Sequence, residues 1–164
     1  MSDYDWSRFT KRININAPVE QIYKAWATQA GLESWFLSKA AFNQAERLRS
    51  KIEFAQAGDT YQWTWFGYED ATDTGKVLAA NGVNTFSFSF AGECVVTVTI
   101  KTESHETIVE LTQDNIPTDE KSKVSKNINC QAGWVFYLTN LKAVLESGID
   151  LRNKDESLPN MINA

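Results

Sequence analysis

The chain has 164 residues and a mass of 18.5 kDa, which is typical of a single domain with a substantial hydrophobic core. Its net charge of −5 argues against nonspecific binding to nucleic acid, and no cluster of Lys and Arg residues offsets that charge. The sequence contains neither an apolar run long enough to span a membrane nor a signal-peptide pattern, so we expect no membrane span and a cytoplasmic location.

The N-terminal part of the chain predicts one strand followed by two short helices. Apolar and polar residues alternate between Arg8 and Ile15, as in a strand, and Pro18 then favours the first turn of a helix. That helix is predicted to end near Ala27, because four apolar residues recur at helical spacing: Val19, Ile22, Tyr23 and Trp26. Gly31 is predicted to separate it from a second short helix that carries three apolar residues: Leu32, Trp35 and Phe36.

The middle of the chain predicts six strands, over residues 47–54, 60–66, 74–80, 83–90, 94–102 and 106–113. Asn81-Gly82, between two of these segments, is a strong signal for a hairpin. Connections this short can join only antiparallel neighbours. We therefore predict an antiparallel meander that the N-terminal strand joins.

A long helix is predicted over residues 119–147. Four apolar residues recur at helical spacing along it, Trp134, Leu138, Leu141 and Leu145, and Gly148 follows where a left-handed C-cap would end it. About 29 residues at 1.5 Å per residue span roughly 44 Å, which is close to the diameter of a domain of this size. We expect one domain over residues 1–152 and a loose polar tail over 153–164.

These elements predict an α+β fold of the helix-grip type. In it, a twisted antiparallel sheet of about six to seven strands wraps around the long C-terminal helix, with two short helices after the first strand. Three segments carry a family resemblance: residues 13–19 with Ile22, Ala25 and Trp26; residues 32–36; and Gly133-Trp134 with Leu138, residues 140–142, residues 145–146 and Gly148. Together they resemble the START-like (SRPBCC) superfamily, and most closely its branch of activator of heat-shock protein 90 ATPase homologues. The resemblance runs from about residue 7 to residue 152.

Two segments depart from the family pattern. Residues 45–48 stand where many relatives carry a Gly-Gly pair, and the loop over residues 67–74 is acidic, with Glu69, Asp70 and Asp73.

The resemblance implies a cavity between the sheet and the long helix, in a superfamily whose members bind lipids, hormones, polyketides or protein partners. Two predicted strands each carry three aromatic residues on one face: Tyr61, Trp63 and Trp65 on one, and Phe86, Phe88 and Phe90 on the other. We predict that eight residues form the cavity wall: Trp35, Phe54, Trp63, Trp65, Phe86, Phe88, Trp134 and Leu138. The alternative is that these side chains simply fill a closed core.

Catalytic and metal-binding residues are not predicted. His105 is the only histidine and falls in a predicted hairpin turn, and the acidic loop lacks the ligand spacing of a calcium site. Cys94 and Cys130 are expected to be reduced structural thiols, since neither a His nor a run of basic residues is near them in sequence to lower a thiol pKa. Glu53 and Glu110 lie in predicted strands, and their faces are left open. We expect no metal and no cofactor.

Three functions remain compatible with these patterns. The favoured one is noncatalytic binding of a small hydrophobic molecule, lipid-like or polyketide-like, in the cavity. The alternatives are a protein-interaction module that stimulates a chaperone ATPase, and a cyclase-like or hydrolase-like enzyme of the same fold.

Overall fold

An antiparallel sheet of eight strands forms the body of the protein, as seen in a computed structural model that describes residues 3–163. The strands are β1 (Phe9–Asn14), β2 (Lys39–Gln44), β3 (Arg47–Leu48), β4 (Thr60–Thr64), β5 (Asp73–Ala80), β6 (Thr85–Phe90), β7 (Cys94–Glu103) and β8 (Glu106–Asp114). Their order across the sheet is β1-β8-β7-β6-β5-β4-β2-β3. The meander from β4 to β8 therefore pairs neighbours along the chain, and β1 joins it, as predicted. The structure places β1 beside β8.

The helices are α1 (Val19–Ala27), α2 (Gln29–Trp35), α3 (Glu120–Ser122) and α4 (Asn129–Ser147), with a π-helical segment at Lys123–Ile128 that joins α3 to α4. Together, α3, the π-helical segment and α4 form one continuous helix of 28 residues. It begins after Asp119, whose carboxylate accepts a hydrogen bond from the Ser122 amide, and it ends at Gly148 with φ +67°. The predicted α+β helix-grip fold, including the long terminal helix, is confirmed.

Gly31 lies inside α2 and does not separate the two short helices, contrary to the prediction. The separation occurs at Thr28, whose backbone is extended and whose hydroxyl accepts a hydrogen bond from the Gly31 amide at 2.9 Å. A Cβ at position 31 would lie 2.2 Å from the Lys24 carbonyl oxygen. Glycine is therefore required by the close approach of α1 to α2.

The predicted strand over residues 47–54 is wrong, because only Arg47–Leu48 pairs in the sheet. The strand beside it is β2, which the sequence did not indicate because only Ala40 and Phe42 are buried in it. After β3 the chain turns so that the Arg49 guanidinium, 5% exposed, forms a bidentate ion pair with the carboxylate of Asp59, 2% exposed. Burial of this pair holds the connection to β4 in an irregular path.

Glu53 links this ion pair to the surface. Its carboxylate accepts hydrogen bonds from Arg47 at 2.9 and 3.0 Å and from Arg49 at 2.9 Å. The hydrogen bonds from Arg47 lower the pKa of Glu53 from 4.5 to about 2. Glu53 is thus a surface ion-pair residue that points away from the interior.

The stability of the protein is expected to fall on acidification partly through Glu53. Because the folded-state pKa is depressed, the Glu53 contribution is complete above pH 4.5 and is lost as the pH falls through about 2. Glu53→Gln should therefore reduce the dependence of the unfolding free energy on pH in this range, measured by urea titrations at several pH values. Glu46→Gln is the matched control, because Glu46 lies on the neighbouring turn and forms no ion pair with any of residues 3–163. This variant should leave the pH dependence of the unfolding free energy unchanged. Equal effects of the two variants would contradict the assignment.

Arg152 ties the end of the long helix to α2. Its side chain, 1% exposed, donates to the Leu37 and Glu33 carbonyl oxygens at 3.0 Å each and pairs with Asp150 at 2.8 Å. The next residues, 153–163, contain no helix or strand. They nevertheless fold back, since Asn163 accepts from the Asn153 amide at 2.6 Å and donates to the Asn153 carbonyl oxygen at 2.8 Å. The final segment, expected to be loose, is therefore closed into a loop by these two hydrogen bonds between its ends.

The helices within residues 3–163 include none that is both long enough and apolar enough to cross a membrane.

Candidate functional site

Most of the aromatic residues predicted to line a cavity fill the space between the sheet and the long helix. Six of the eight are at most 3% exposed and contact other buried side chains: Trp35, Trp63, Phe86, Phe88, Trp134 and Leu138. The Trp63 ring stacks on Tyr61 with centroids 3.8 Å apart and meets Phe88 edge-on at 5.1 Å. The centre of the helix-grip is therefore a packed aromatic core, which is the alternative that the sequence had left open. Of the six residues, Trp134 also borders a pocket.

Phe54 does not lie in the interior at all. It is 44% exposed and stacks on the ring of Tyr23 from α1, with centroids 5.9 Å apart. The prediction placed it inside because it assumed a regular strand over residues 47–54, and that strand does not form.

One apolar pocket of about 210 Å³ remains at the end of the sheet–helix interface, and we call it the aromatic pocket. Its lining comes from the residue after α2, the residue and loop after β4, the end of β6, the π-helical segment and α4: Phe36, Trp65, Tyr68, Phe90, Ser125, Asn129, Cys130, Gly133, Trp134 and Tyr137. Of the eight predicted residues, Trp65 and Trp134 belong to it. The pocket thus occupies only one end of the predicted cavity.

Helix spacing and strand alternation in the sequence could have identified several of the remaining lining residues. Cys130 and Tyr137 lie four residues before and three after Trp134, so they share its side of the helix. Gly133 lies three residues after Cys130 and four before Tyr137, so it adjoins the same side. Phe90 continues the aromatic face of β6, and its ring lies 5.2 Å from that of Trp134. Tyr68 lies in the loop between β4 and β5, whose position no local pattern predicts.

The π-helical segment shapes the pocket wall. At its end, the Asn129 amide bonds to the Val124 carbonyl oxygen five residues earlier, which widens the turn. Gln113, fully buried on β8, supports this turn by donating to the Lys126 carbonyl oxygen at 3.2 Å. The same amide accepts a hydrogen bond from the Trp134 indole N–H at 3.0 Å, so Gln113 fixes both the widened turn and the Trp134 ring.

The aromatic pocket is electrically neutral. Its lining residues include no Asp, Glu, Lys, Arg or His side chain. Burial raises the pKa of the Cys130 thiol and of the Tyr137 hydroxyl, so both stay protonated at neutral pH. The pocket can therefore accept uncharged apolar molecules, and it offers neither a thiolate nucleophile nor a general base.

The other candidate groups lie outside the pocket. His105 is exposed in the turn between β7 and β8 with φ +68°, as the sequence predicted. Glu110 pairs with Arg12 at 3.1 Å and with Lys101 at 3.2 Å, and Cys94 is a buried free thiol. Within residues 3–163 no three His, Cys, Asp or Glu side chains cluster in a way that could hold a metal ion.

The eight-stranded sheet, the long helix packed on it and the interior between them define a START-like protein of the helix-grip class. The sequence matches the family described as Activator of Hsp90 ATPase homolog 1-like protein over residues 16–146. This chain belongs to that family, and the resemblance found in its sequence is confirmed. Comparison with curated proteins finds no match.

Several solved structures are similar to this one. A protein from Staphylococcus saprophyticus has a TM-score of 0.69 at 18% identity, covering 88% of this chain and 96% of its own. An Aha1 dimer from Colwellia psychrerythraea has a TM-score of 0.63 at 23% identity, covering 86% and 97%. DynU16, a protein in the dynemicin biosynthetic locus, has a TM-score of 0.66 at 18% identity, covering 90% of this chain and 50% of its own. At these identities the similarity establishes a shared fold.

Proposed function

We propose that this protein binds a small, uncharged apolar molecule in the aromatic pocket without chemically transforming it. The supporting observation is the pocket itself, which is lined by Phe36, Trp65, Phe90 and Trp134 and contains no charged side chain. Small-molecule sites typically combine such apolar walls with a few polar groups that orient the ligand.

The pocket volume limits the size of the ligand. An apolar protein cavity of about 150 Å³ holds benzene, so the 210 Å³ here suits a molecule of one or two rings. A lipid or polyketide would have to displace side chains from the neighbouring aromatic core, where packing is dense. The ligand we propose is therefore smaller than the lipid-like or polyketide-like molecule expected from the sequence.

Filling the pocket from the helix is expected to abolish binding without unfolding the protein. Gly133 lines the pocket and lies within α4, so Gly133→Leu adds a side chain there while replacing a residue that disfavours helix by about 1 kcal/mol. We expect affinity for uncharged mono- and bicyclic aromatic molecules to fall by about tenfold or more. A tenfold loss corresponds to about 1.4 kcal/mol of binding free energy. Ligand-observed NMR measures the affinity, and thermal unfolding checks the fold.

Ala132→Leu is the matched control for this variant. Ala132 is the preceding residue of α4, but it is exposed and does not line the pocket. Ligand affinity should therefore be unchanged in Ala132→Leu. If no aromatic molecule binds the unmodified protein, or if both variants lose affinity equally, ligand binding in this pocket is refuted.

A protein-interaction function is the second candidate, and an exposed apolar stripe favours it. Val124, Ile128 and Val135 are 53%, 48% and 51% exposed, and their spacing places them on one side of the long helix. We propose a chaperone ATPase as the partner in this case. Val135→Glu should then abolish stimulation of the ATPase, whereas Gly133→Leu should preserve it. The opposite pattern would reject this candidate.

The enzyme alternative would require turnover that depends on residues of the aromatic pocket.

A further inference from the structure

Three tyrosine side chains are buried in this protein, and the hydroxyl of one lacks a hydrogen-bond partner. The Tyr23 hydroxyl accepts from the Gly82 amide at 2.9 Å, and the Tyr61 hydroxyl donates to the Ser89 carbonyl oxygen at 2.6 Å. Tyr137 is only 4% exposed, yet its hydroxyl has no hydrogen-bond partner among residues 3–163. Unlike the indole N–H groups of Trp26 and Trp63, this hydroxyl is not completely enclosed, so a ligand can reach it.

Tyr137 also lines the aromatic pocket. Its ring is held edge-on by Phe36 at 4.9 Å and by Phe136 at 5.1 Å. Burial raises the pKa of its hydroxyl, an effect partly offset by the Arg152 guanidinium, so the group remains a hydrogen-bond donor at neutral pH.

The neighbouring polar groups are already engaged. Arg152 donates to Asp150 and to two carbonyl oxygens, and the Asp150 carboxylate also accepts from Asn140 at 3.1 Å. The Trp134 indole N–H bonds to Gln113, and the Cys130 thiol points to the Ser125 carbonyl oxygen at 3.8 Å. Tyr68 and Asn129 also line the pocket, but both are exposed to solvent, so the Tyr137 hydroxyl is the free donor that belongs to a buried side chain of the lining.

We infer that the ligand of the aromatic pocket is an aromatic molecule with an uncharged carbonyl group, and that the Tyr137 hydroxyl donates a hydrogen bond to this carbonyl oxygen. The inference rests on the proposed function and adds the chemical class of the ligand. An uncharged acceptor is favoured over a carboxylate because the pocket lining contains no cation to compensate a buried negative charge. Tyr137 thereby acts as the residue that orients the ligand and selects it over a pure hydrocarbon.

The test compares two molecules of nearly identical shape, 2-acetylnaphthalene and 2-isopropenylnaphthalene, which differ in having C=O or C=CH₂. The full-length protein should bind the ketone about fivefold more tightly than the alkene, which is the gain typical of one hydrogen bond after desolvation. In Tyr137→Phe, which keeps the ring, this difference should disappear while the affinity for the alkene stays the same. Ligand-observed NMR provides the affinities.

An infrared measurement on the unmodified protein gives a second, independent readout. The carbonyl stretching frequency of bound 2-acetylnaphthalene should be lower than in hexane, because a hydrogen bond weakens the C=O bond. A frequency equal to that in hexane would overturn the inference even if Tyr137→Phe did not fold.

The remaining outcomes separate this inference from the proposed function. Equal affinity for ketone and alkene, or a preference for the ketone that survives in Tyr137→Phe, would overturn the role of Tyr137 while leaving apolar binding in place. If neither molecule binds, the proposed function and the inference both fail.

Discussion

Replacing Trp63 with Ala is expected to destabilise the protein by about 3–5 kcal/mol, the usual cost of removing a large buried aromatic side chain. Trp63 is fully buried and touches the rings of Tyr61, Phe88 and Phe36. It does not line the aromatic pocket, so the affinity of the folded variant for small aromatic molecules should be almost unchanged. Urea unfolding and ligand-observed NMR measure the two quantities.

Trp65→Ala is the matched control, two residues further along the chain. Trp65 is only partly buried and lines the pocket, where it meets Phe36 at 5.5 Å and Phe90 at 6.3 Å. This variant should lose less stability than Trp63→Ala and more ligand affinity. A folded Trp63→Ala protein that no longer binds would mean that the ligand site extends into the aromatic core.

Trp63→Phe provides a further check on the core. Among residues 3–163, the indole N–H groups of Trp26 and Trp63 are buried without a hydrogen-bond partner. Phe removes this unsatisfied donor along with some volume, and loss of an unpaired polar group is itself favourable. Trp63→Phe should therefore cost far less stability than Trp63→Ala.

Breaking the buried Arg49–Asp59 ion pair is expected to have an effect of similar size. Arg49→Met leaves the Asp59 carboxylate buried without its cation, which typically costs about 3–5 kcal/mol. The double variant Arg49→Met with Asp59→Leu removes both charges and should be much less destabilised than the sum of the two single variants. Urea unfolding at neutral pH measures all three free energies.

Arg47→Met is the control for Arg49→Met. Both arginines contact Glu53, but the side chain of Arg47 is 56% exposed and that of Arg49 is 5% exposed. Exposed ion pairs contribute little, so Arg47→Met should change the unfolding free energy only slightly. Additive losses in the double variant, or equal losses for the two arginines, would show that the buried pair is not what holds the connection from β3 to β4.

The sequence by itself determined the elements that rest on local periodicity. The hairpins from β6 to β8 follow from short turns between alternating segments, and the end of the long helix follows from Gly148. Such signals are sufficient because each depends on residues within a few positions of one another. The resemblance then supplied the arrangement of sheet and helix, which the family match over residues 16–146 supports.

The tertiary structure decided the features that depend on distant partners. The irregular path after β3 is set by a buried ion pair ten residues apart, and Gly31 is required by the approach of α2 to the backbone of α1. No local pattern contains either contact.

The sequence likewise could not predict which aromatic residues lie in the core and which line the pocket. Trp63 and Trp65 share a strand face, and both were predicted to line a cavity, yet one is fully buried in the core and the other borders the aromatic pocket. Whether an aromatic side chain fills the interior or borders a space depends on what the opposing elements place against it. Here Phe36 packs against both rings, and the pocket beside Trp65 is bordered by the widened helical turn that Gln113 supports. The sequence pattern of a single strand does not encode this packing.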